Sequence, residues 1–295
     1  MTDYIIATAS TSDLPRTWLD AHGVPFISYE YIMGDVAYQD DCREETRADI
    51  YARMRAGALL KTSMINEYEY MEFFRGLLAT GKDVIFLDMS QKMSASYGNS
   101  LLAAKELRAE FPKQRLYIMD TRCISGGLGT LVEAMVERME AGDSFDQVID
   151  WGEANKLRIA HRFTVDDLNY LKAGGRVSNA SALVGTVLNI KPVLYVPDEG
   201  TLDVVKKARG RKAALKSIRD GILHDLGRMA DCSGGKMHIL HADCFDDAAF
   251  IRDEVDPVTE EFFRLGEGRA ERWGYGEGQL ELLDSVKAKA RDAGL

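Results

Sequence analysis

The segment DVIFLDMSQKMSASYGNSLLAAKELRAEFPKQRLYIMD, residues 83–120, decides the fold class. It opens with the apolar run DVIFLDM (83–89), which predicts a strand buried on both faces, as in a parallel sheet. The amphipathic stretch at 99–111 predicts a helix, and RLYIMD (115–120) predicts the next strand. A strand, a helix and a second strand in this order form a right-handed βαβ unit, so the segment predicts an open parallel sheet.

The same alternation extends in both directions from this segment. YIIATA (4–9) and VPFISYEYI (24–32) predict further strands, and helices are expected at about 44–56, 67–81 and 130–142. The second half differs, because it combines a strand at 158–167, a hairpin at 191–208 and a long amphipathic helix at 211–229. We therefore predict an α/β protein with a Rossmann-like parallel-sheet domain over residues 1–155 and an α+β domain over residues 156–295.

Composition limits the classes of function. The chain has 295 residues and a net charge of −10, which disfavours a nucleic-acid partner because the phosphate backbone would repel it. No apolar run reaches the length that spans a bilayer, and the N-terminus does not have the pattern of a signal peptide. The four cysteines form no CxxC pair and have no zinc-ligand spacing, so we expect free thiols in a reducing cytoplasm.

Motifs of the common catalytic and cofactor classes are missing from the chain. No GxGxxG follows the first predicted strand, no phosphate-binding GxxxxGK[ST] occurs, and no GxSxG nucleophile turn occurs. The five histidines have no spacing that indicates a catalytic triad, and we interpret each as structural. We therefore predict no catalytic residue, no metal and no cofactor.

Four loops share a hydroxyl-rich composition, and three of them directly follow predicted strands. They are ATASTSD (7–13), KTSM (61–64), SQKMSAS (90–96) and DTRCIS (120–125). Loops at the carboxyl ends of parallel strands converge on one crevice, where hydroxyls and helix N-terminal amides suit a carboxylate, a phosphate or another polar head group. The alternative is that each Ser or Thr only caps the helix that follows it.

A single arginine, Arg176, precedes the most apolar segment of the chain, in LKAGGRVSNASALVGTVLNIKPVL (171–194). Arg176 follows a glycine pair, which favours either a site that holds a charged head beside an apolar tail or a helix end before a buried helix. Downstream lies a basic cluster, which indicates either an anion site or a solvated helix start: Lys206, Lys207, Arg209, Arg211 and Lys212.

Together these stretches resemble the DegV family, the bacterial fatty-acid-binding proteins that serve as acyl-carrying subunits of fatty acid kinase. The similar stretches run in family order over about residues 1–245 and are TASTSDLP (8–15), KTSM (61–64), SQKMSASYGNS (90–100), DTRCISGGLG (120–129), VDDLNYLKAGGRVSNASALVGTVLNIKPVL (165–194), VVKKARGRKAALK (204–216) and HAD (241–243). The LxxGGR…NIKP block is the most specific of them.

The resemblance implies the two-domain EDD fold, with a long-chain fatty acid between the domains and its tail buried in the second. It implies that Thr62 and Ser94 bind the carboxylate, with Ser63 and Ser96 as neighbours that contribute. The first-loop hydroxyls of Ser10 and Thr11 complete the predicted head-group set, and Arg176 and Arg209 match family arginines near the head group. The implied partner is an ATP-dependent fatty acid kinase subunit, and membrane contact is expected to be transient only.

The chain departs from the family pattern at two places. The family aspartate of the first loop is replaced by Ala9, and the C-terminal GxHxGPG segment is absent, since no histidine follows His241. LGEGRAERWGYGEGQL (265–280) occupies that region and offers substitute donors: Arg269, Arg272 and Trp273. Two alternatives therefore remain, a binding protein for a different apolar ligand without phosphotransfer and a small-substrate enzyme of the dihydroxyacetone-kinase-like fold.

Overall fold

A computed structural model describes residues 3–166, 175–176, 189–228, 236–255 and 272–274. The chain divides into two compact units, one formed by Met1–Ile159 with Val196–Thr201 and the other by Ala160–Tyr195 with Leu202–Leu295. The predicted boundary between residues 155 and 156 stays a prediction, and the predicted helices within 167–174 and 177–188 lie outside the described residues.

The first unit contains a four-stranded parallel sheet in the order β2-β1-β6-β7. Its strands are β1 (Tyr4–Ala9), β2 (Phe26–Ile27), β6 (Asp83–Asp88) and β7 (Leu116–Asp120). In register, Thr8 pairs with Leu87 and Asp88 pairs with Asp120, so the carboxyl ends of β1, β6 and β7 are level. Because β1 has β2 on one side and β6 on the other, the strand order reverses between β1 and β6.

The predicted βαβ segment explains the centre of this sheet. Val84, Ile85, Phe86 and Leu87 are all buried, as a strand covered on both faces requires. The helices of this unit are α1 (Arg16–Ala21), α2 (Glu44–Arg55), α3 (Glu67–Leu78), α4 (Ser96–Glu110), α5 (Ser125–Glu140) and α6 (Phe145–Asn155). Helices α3, α5 and α6 contact β6, and α4 contacts β7 and α3. This part of the fold agrees with the α/β prediction.

A second, antiparallel sheet in the first unit has the order β4-β3-β5. Its strands are β3 (Glu30–Met33), β4 (Val36–Gln39) and β5 (Leu60–Thr62). The prediction of one strand over 24–32 is wrong, because the chain leaves the parallel sheet after Ile27 and enters the second sheet at Glu30. The backbone of Tyr29 causes the break, since its N–H is donated to Ser10 Oγ at 3.0 Å and its carbonyl accepts from Asp40 N at 2.9 Å.

The prediction that 61–64 is wholly a loop is also wrong. Lys61 and Thr62 complete β5, where Thr62 pairs with Tyr31 of β3, and only Ser63 and Met64 lie beyond the strand. No pattern in the sequence indicates this strand, because three residues are too few for an alternation of apolar and polar side chains.

The second unit contains the antiparallel sheet β10-β9-β8 and a short pair of strands, β11 with β12. Its described elements are β8 (Arg162–Thr164), β9 (Ile190–Tyr195), β10 (Asp203–Arg209), α7 (Arg211–Arg228), β11 (Lys236–His238), α8 (Phe245–Val255) and β12 (Arg272–Gly274). The predicted hairpin is present, with a register shift between Val204 and Lys206. Buried side chains from β9, β10, α7 and α8 form one apolar cluster: Val193, Ala208, Ala214, Leu215, Ile218, Ile251 and Val255.

Within the described residues, no helix is long and apolar enough to cross a membrane.

Candidate functional site

The candidate site of the first unit lies where the strand order reverses, at the carboxyl ends of β1 and β6. A single 3-10 turn, Ser10–Ser12, follows β1, and the loop from Met89 to Ala95 follows β6. In open parallel sheets this reversal point opens a crevice that ligands occupy. The predicted head-group serines of both loops are therefore at the same edge of the sheet.

Ser94 and Ser96 form a buried hydroxyl pair at the start of α4. Ser94 Oγ donates to Ser96 Oγ at 2.9 Å and accepts from the Ser96 backbone N–H at 3.2 Å. Ser94 is 9% exposed and Ser96 is fully buried. Since α4 begins at Ser96, its N-terminal amides and the positive end of its dipole are at the same place, and both favour an anion.

Tyr29 joins the first loop to this pair. Its backbone N–H is donated to Ser10 Oγ at 3.0 Å, and its hydroxyl donates to Ser94 Oγ at 3.4 Å. Burial raises the pKa of Tyr29 to about 12, with a smaller contribution from the charge of Asp88, although the hydrogen bond with Ser94 acts in the opposite direction. The Tyr29 phenol is therefore protonated at neutral pH. The hydroxyls of Tyr29, Ser94 and Ser96 together form a hydroxyl cluster.

The segment after β5 is also hydrogen-bonded to these hydroxyls. The Ile65 backbone N–H is donated to Ser96 Oγ at 3.0 Å, and Asn99 Nδ2 donates to the Ile65 carbonyl at 2.8 Å. Ser63 Oγ donates to Glu30 Oε1 at 3.1 Å, and the Thr62 side chain is exposed. The structure thus connects the segment that follows Thr62, the last residue of β5, to Ser96 through Ile65, and within this segment Ser63 is bonded to the Glu30 carboxylate.

A buried carboxyl group lies behind the hydroxyls, at the end of β6. Asp88 is fully buried, accepts from Tyr70 hydroxyl at 3.0 Å through Oδ2, and accepts from the Met89 backbone N–H at 2.8 Å through Oδ1. Burial raises the pKa of Asp88 to about 7, with a smaller contribution from the charge of Asp120. Burial and the charge of Asp88 likewise raise the pKa of Tyr70.

The remaining first-loop hydroxyls have a different environment. Thr11 Oγ1 and Ser12 Oγ are buried and have no hydrogen-bond partner in the part of the chain that the structure describes. Ser12 also lies under α5, because a Cβ added to Gly129 would come within 2.6 Å of the Ser12 carbonyl oxygen. Of the predicted first-loop residues, the structure therefore connects Ser10 to the hydroxyl cluster through Tyr29 and records no such bond for Thr11.

The turn between β9 and β10 also contacts the loop after β6. Ser90 Oγ donates to the Gly200 carbonyl at 2.7 Å, and Arg122 Nη1 donates to the Asp198 carbonyl at 2.9 Å. Gly200 has φ of +80°, and a Cβ there would come within 2.3 Å of Ser90 Oγ. The turn therefore requires glycine at this position, for its backbone conformation and for space.

The two predicted arginines belong to the second unit. Arg209 ends β10 opposite Ile190 with its side chain exposed, and Arg176 is exposed in the described pair 175–176. Near the start of α7, Arg211 is paired with Asp247, while Lys191 donates to Asp166 Oδ1 at 2.6 Å. One member of the basic cluster, Arg211, is thus neutralised by a carboxylate of its own unit.

The positions that depart from the family pattern are also placed. Ala9 is buried at the end of β1, paired with Ile27 of β2. Of the candidate substitute donors, Arg272 and Trp273 lie in β12, paired with His238 and Met237 of β11, and Arg269 lies outside the described residues.

The sequence did not identify Tyr29, Tyr70 or Asp88 as members of the site. Asp88 could have been noticed, because it is the one carboxyl group at the carboxyl end of an otherwise apolar strand, DVIFLDM. The tyrosines gave no such signal, since each fits the strand or helix pattern around it. Among the described residues, no group of three or more His, Cys, Asp or Glu side chains could hold a metal ion.

Comparison with known proteins defines the class of protein. The family model described as "Uncharacterised protein, DegV family" matches residues 4–266. A DegV domain-containing protein of Clostridium perfringens is 32% identical over 256 residues, which are 86% of this chain and 87% of the relative. The chain therefore belongs to the DegV family.

Solved structures of the family have the same fold. A DegV family protein of Thermus thermophilus, whose structure reports fatty acid binding, is 30% identical with a TM-score of 0.74, over 86% of this chain and 88% of that one. A fatty acid binding DegV family protein of Streptococcus agalactiae is 25% identical with a TM-score of 0.72, over 88% and 89% of the two chains.

Proposed function

We propose that this protein binds a long-chain fatty acid and presents its carboxylate for phosphorylation by a separate, ATP-dependent kinase subunit. In this proposal it acts in the cytoplasm as a carrier, contributes no catalytic residue and needs no cofactor besides the bound fatty acid. Membership of the family and the fatty acid binding of the relatives from Thermus thermophilus and Streptococcus agalactiae support the ligand class.

One observation carries the proposal for the head group: the buried, mutually bonded hydroxyls of Ser94 and Ser96 at the first turn of α4. Hydroxyl protons and helix N-terminal amides are donors, and a carboxylate has only acceptors to offer them. We assign Ser94 and Ser96 as the centre of the head-group site, with Thr62 beside it because the segment that follows Thr62 is bonded to Ser96 through the Ile65 N–H.

We assign the other predicted residues to the edge of the site. Ser10 holds Tyr29 in place, and Ser63 is engaged by Glu30, so both position their neighbours. Arg176 and Arg209 are proposed to contact the kinase subunit or the transferred phosphate, because an exposed guanidinium suits a phosphate or an acidic partner surface. Thr11 is proposed as an additional hydrogen-bond donor to the head group, because its buried hydroxyl has no partner among the described residues.

The proposal is tested by removing the hydroxyl pair. The Ser94→Ala/Ser96→Ala variant should bind dodecanoate about 10- to 100-fold more weakly than the wild type, because hydrogen bonds to a charged group contribute about 1.5–3 kcal/mol. Ser100→Ala is the matched control, since Ser100 is a buried serine of the same helix whose hydroxyl donates to the Tyr97 carbonyl at 2.8 Å. Calorimetry measures the affinity, and mass spectrometry of the purified wild type identifies co-purified lipid.

Equal affinity of the double variant and the control would remove the hydroxyl pair from the site. A protein that co-purifies with no fatty acid and binds none when it is added would favour the second candidate, a different apolar ligand. The specific observation behind that candidate is Ala9, which replaces a carboxyl group of the family pattern at a buried position beside the site. Phosphotransfer is tested separately, by adding ATP and the kinase subunit and trapping acyl phosphate with hydroxylamine.

A further inference from the structure

The loop after β6 is attached through its first serine to two other segments of the first unit. Ser90 is fully buried, and its backbone N–H is donated to the Cys123 carbonyl, 2.9 Å away in the loop after β7. Its hydroxyl donates to the Gly200 carbonyl at 2.7 Å, in the turn Val196–Thr201 between β9 and β10. The same hydroxyl oxygen accepts from the Lys92 N–H at 3.2 Å. One side chain therefore contacts both the turn and the loop that carries the proposed ligand donors.

The carbonyl of Ser90 determines where Ser94 lies. It accepts from the Met93 N–H at 2.9 Å and from the Ser94 N–H at 3.3 Å, so residues 90–94 form one hydrogen-bonded turn. Ser94 is in turn bonded to Ser96 at the start of α4. A shift of Ser90 would therefore move the hydroxyl that we assign to the ligand carboxylate.

The turn packs against Ser90 so closely that only glycine fits there. Gly200 is buried, has φ of +80°, and its N–H is donated to the Pro197 carbonyl at 2.8 Å. A Cβ at this position would come within 2.3 Å of Ser90 Oγ and 3.1 Å of Arg122 Cβ. Arg122 makes a second attachment, because its Nη1 donates to the Asp198 carbonyl at 2.9 Å. The backbone of the turn therefore covers Ser90 directly.

We propose that Ser90 is a positioning residue, and that closure of the turn on Ser90 holds Ser94 in the conformation that binds the ligand carboxylate. This inference rests on the proposed function, because it needs a carboxylate at Ser94. Ser90 contacts no ligand atom in this assignment, since its hydroxyl proton is donated to Gly200 and its hydroxyl oxygen accepts from Lys92. Because coupling between two sites is reciprocal, a ligand at Ser94 also stabilises the closed turn.

Opening of the turn removes a bond of the loop without detaching the loop from the sheet. The Ser90 hydroxyl loses its acceptor, and a buried hydroxyl without a partner is unfavourable, so the side chain has to reorient. The attachment to β7 remains, because Gln91 Nε2 donates to Asp120 Oδ2 at 2.6 Å. We therefore expect a displaced Ser94, and hence a change in affinity, in a protein that stays folded.

Hydrogen exchange of the wild type tests this coupling without any variant. If binding requires the closed turn, dodecanoate at about ten times its dissociation constant should slow exchange of the Gly200 N–H about tenfold. Gly81 is the matched control, since it has φ of +82° and its N–H is donated to the Leu78 carbonyl at 2.9 Å. It precedes β6, at the opposite end of that strand from the site, so its exchange should not change. Nuclear magnetic resonance measures both amides.

Ser90→Ala removes the hydroxyl and keeps the backbone bonds of the residue. It should bind dodecanoate about tenfold more weakly than the wild type, because a smaller fraction of molecules holds Ser94 in place. The ligand should also no longer slow exchange at Gly200. Ser100→Ala loses a buried serine hydroxyl of α4, which donates to the Tyr97 carbonyl, and should keep both the affinity and the protection. Calorimetry measures the affinities, and urea unfolding shows whether the two variants have lost similar stability.

Gly200→Ala tests the same contact from the side of the turn. Its Cβ would meet Ser90 Oγ at 2.3 Å and prevent closure, so affinity should fall at least as far as in Ser90→Ala. Once the turn cannot close on Ser90, loss of the hydroxyl should cost no further affinity, and the double variant should match Gly200→Ala. Losses that add in full would mean that the serine and the turn act independently, which overturns the inference.

The outcomes separate this inference from the proposed function. If the wild type binds dodecanoate but the ligand leaves exchange of the Gly200 N–H unchanged, the coupling is overturned and fatty acid binding stands. Equal affinities of Ser90→Ala and Ser100→Ala overturn it as well. If the wild type binds no dodecanoate, the proposed function fails and this inference fails with it.

Discussion

Replacement of Asp88 by Asn should remove a large pH dependence of folding stability. Asp88 has an ordinary pKa of 3.8, and burial raises the pKa to about 7 in the folded protein. Its folded pKa is above the unfolded one, so protonation favours the folded state. The resulting stability is fully present below about pH 4 and is lost progressively as pH rises to about 7.

The magnitude follows from the shift. A rise of about three pH units at about 1.36 kcal/mol for each unit makes the ionised carboxyl cost about 4 kcal/mol of folding free energy above about pH 7. Asparagine cannot ionise and can keep the Met89 N–H bond, so it avoids this cost. Between about pH 5 and about pH 8 the stability of the variant should therefore rise relative to the wild type by about 3 kcal/mol.

Urea unfolding of both proteins, followed by circular dichroism at each pH, measures this difference. All other titrating groups are common to the two proteins and cancel when the two pH profiles are subtracted. Parallel profiles across this range would refute the reasoning, because Asp88 would then titrate alike in the folded and unfolded chains.

Two further predictions concern packing and thiol chemistry. Gly129→Ala should lower the free energy of unfolding by about 2 kcal/mol, since its Cβ would meet the Ser12 carbonyl oxygen at 2.6 Å. The control Gly76→Ala, in a helix with nothing within 4 Å, should raise the free energy of unfolding by about 0.5–1 kcal/mol. Equal urea midpoints of the two variants would contradict the close approach of α5 to Ser12. Burial raises the pKa of Cys123 to about 12, so little of its thiol is in the reactive thiolate form. In a Cys232→Ser background, the partly exposed Cys244 should therefore react with a disulfide reagent far faster than Cys123. Comparable rates for the two thiols would contradict the buried placement of Cys123.

The sequence predicted the sheet better than it predicted the site. Residues 83–120 identified the parallel sheet, because a central strand buried on both faces leaves a continuous apolar run such as VIFL. The same logic indicated the loop 90–96, since it follows such a strand, whereas the choice of Ser94 and Ser96 within that loop came from the family resemblance. In both cases the signal is local, carried by neighbours along the chain.

What the sequence did not predict depends on contacts between distant residues. The strand over 24–32 breaks because Tyr29 is bonded to Ser10, and no pattern within those nine residues carries that information. The link from Tyr70 to Asp88 joins a helix to a strand end 18 positions away, so the helix pattern around Tyr70 gives no sign of its partner. Short strands such as β5 exist only through their partners.

The turn Val196–Thr201 has a consequence for dividing the chain. Its flanking strands belong to the second unit, but the turn itself is part of the first, so the polypeptide passes between the units at three places in the sequence. A gene fragment ending at residue 159 would leave Ser90 and Arg122 without the carbonyls of Gly200 and Asp198. Neither unit is a contiguous module, and we expect recombination to exchange them only together.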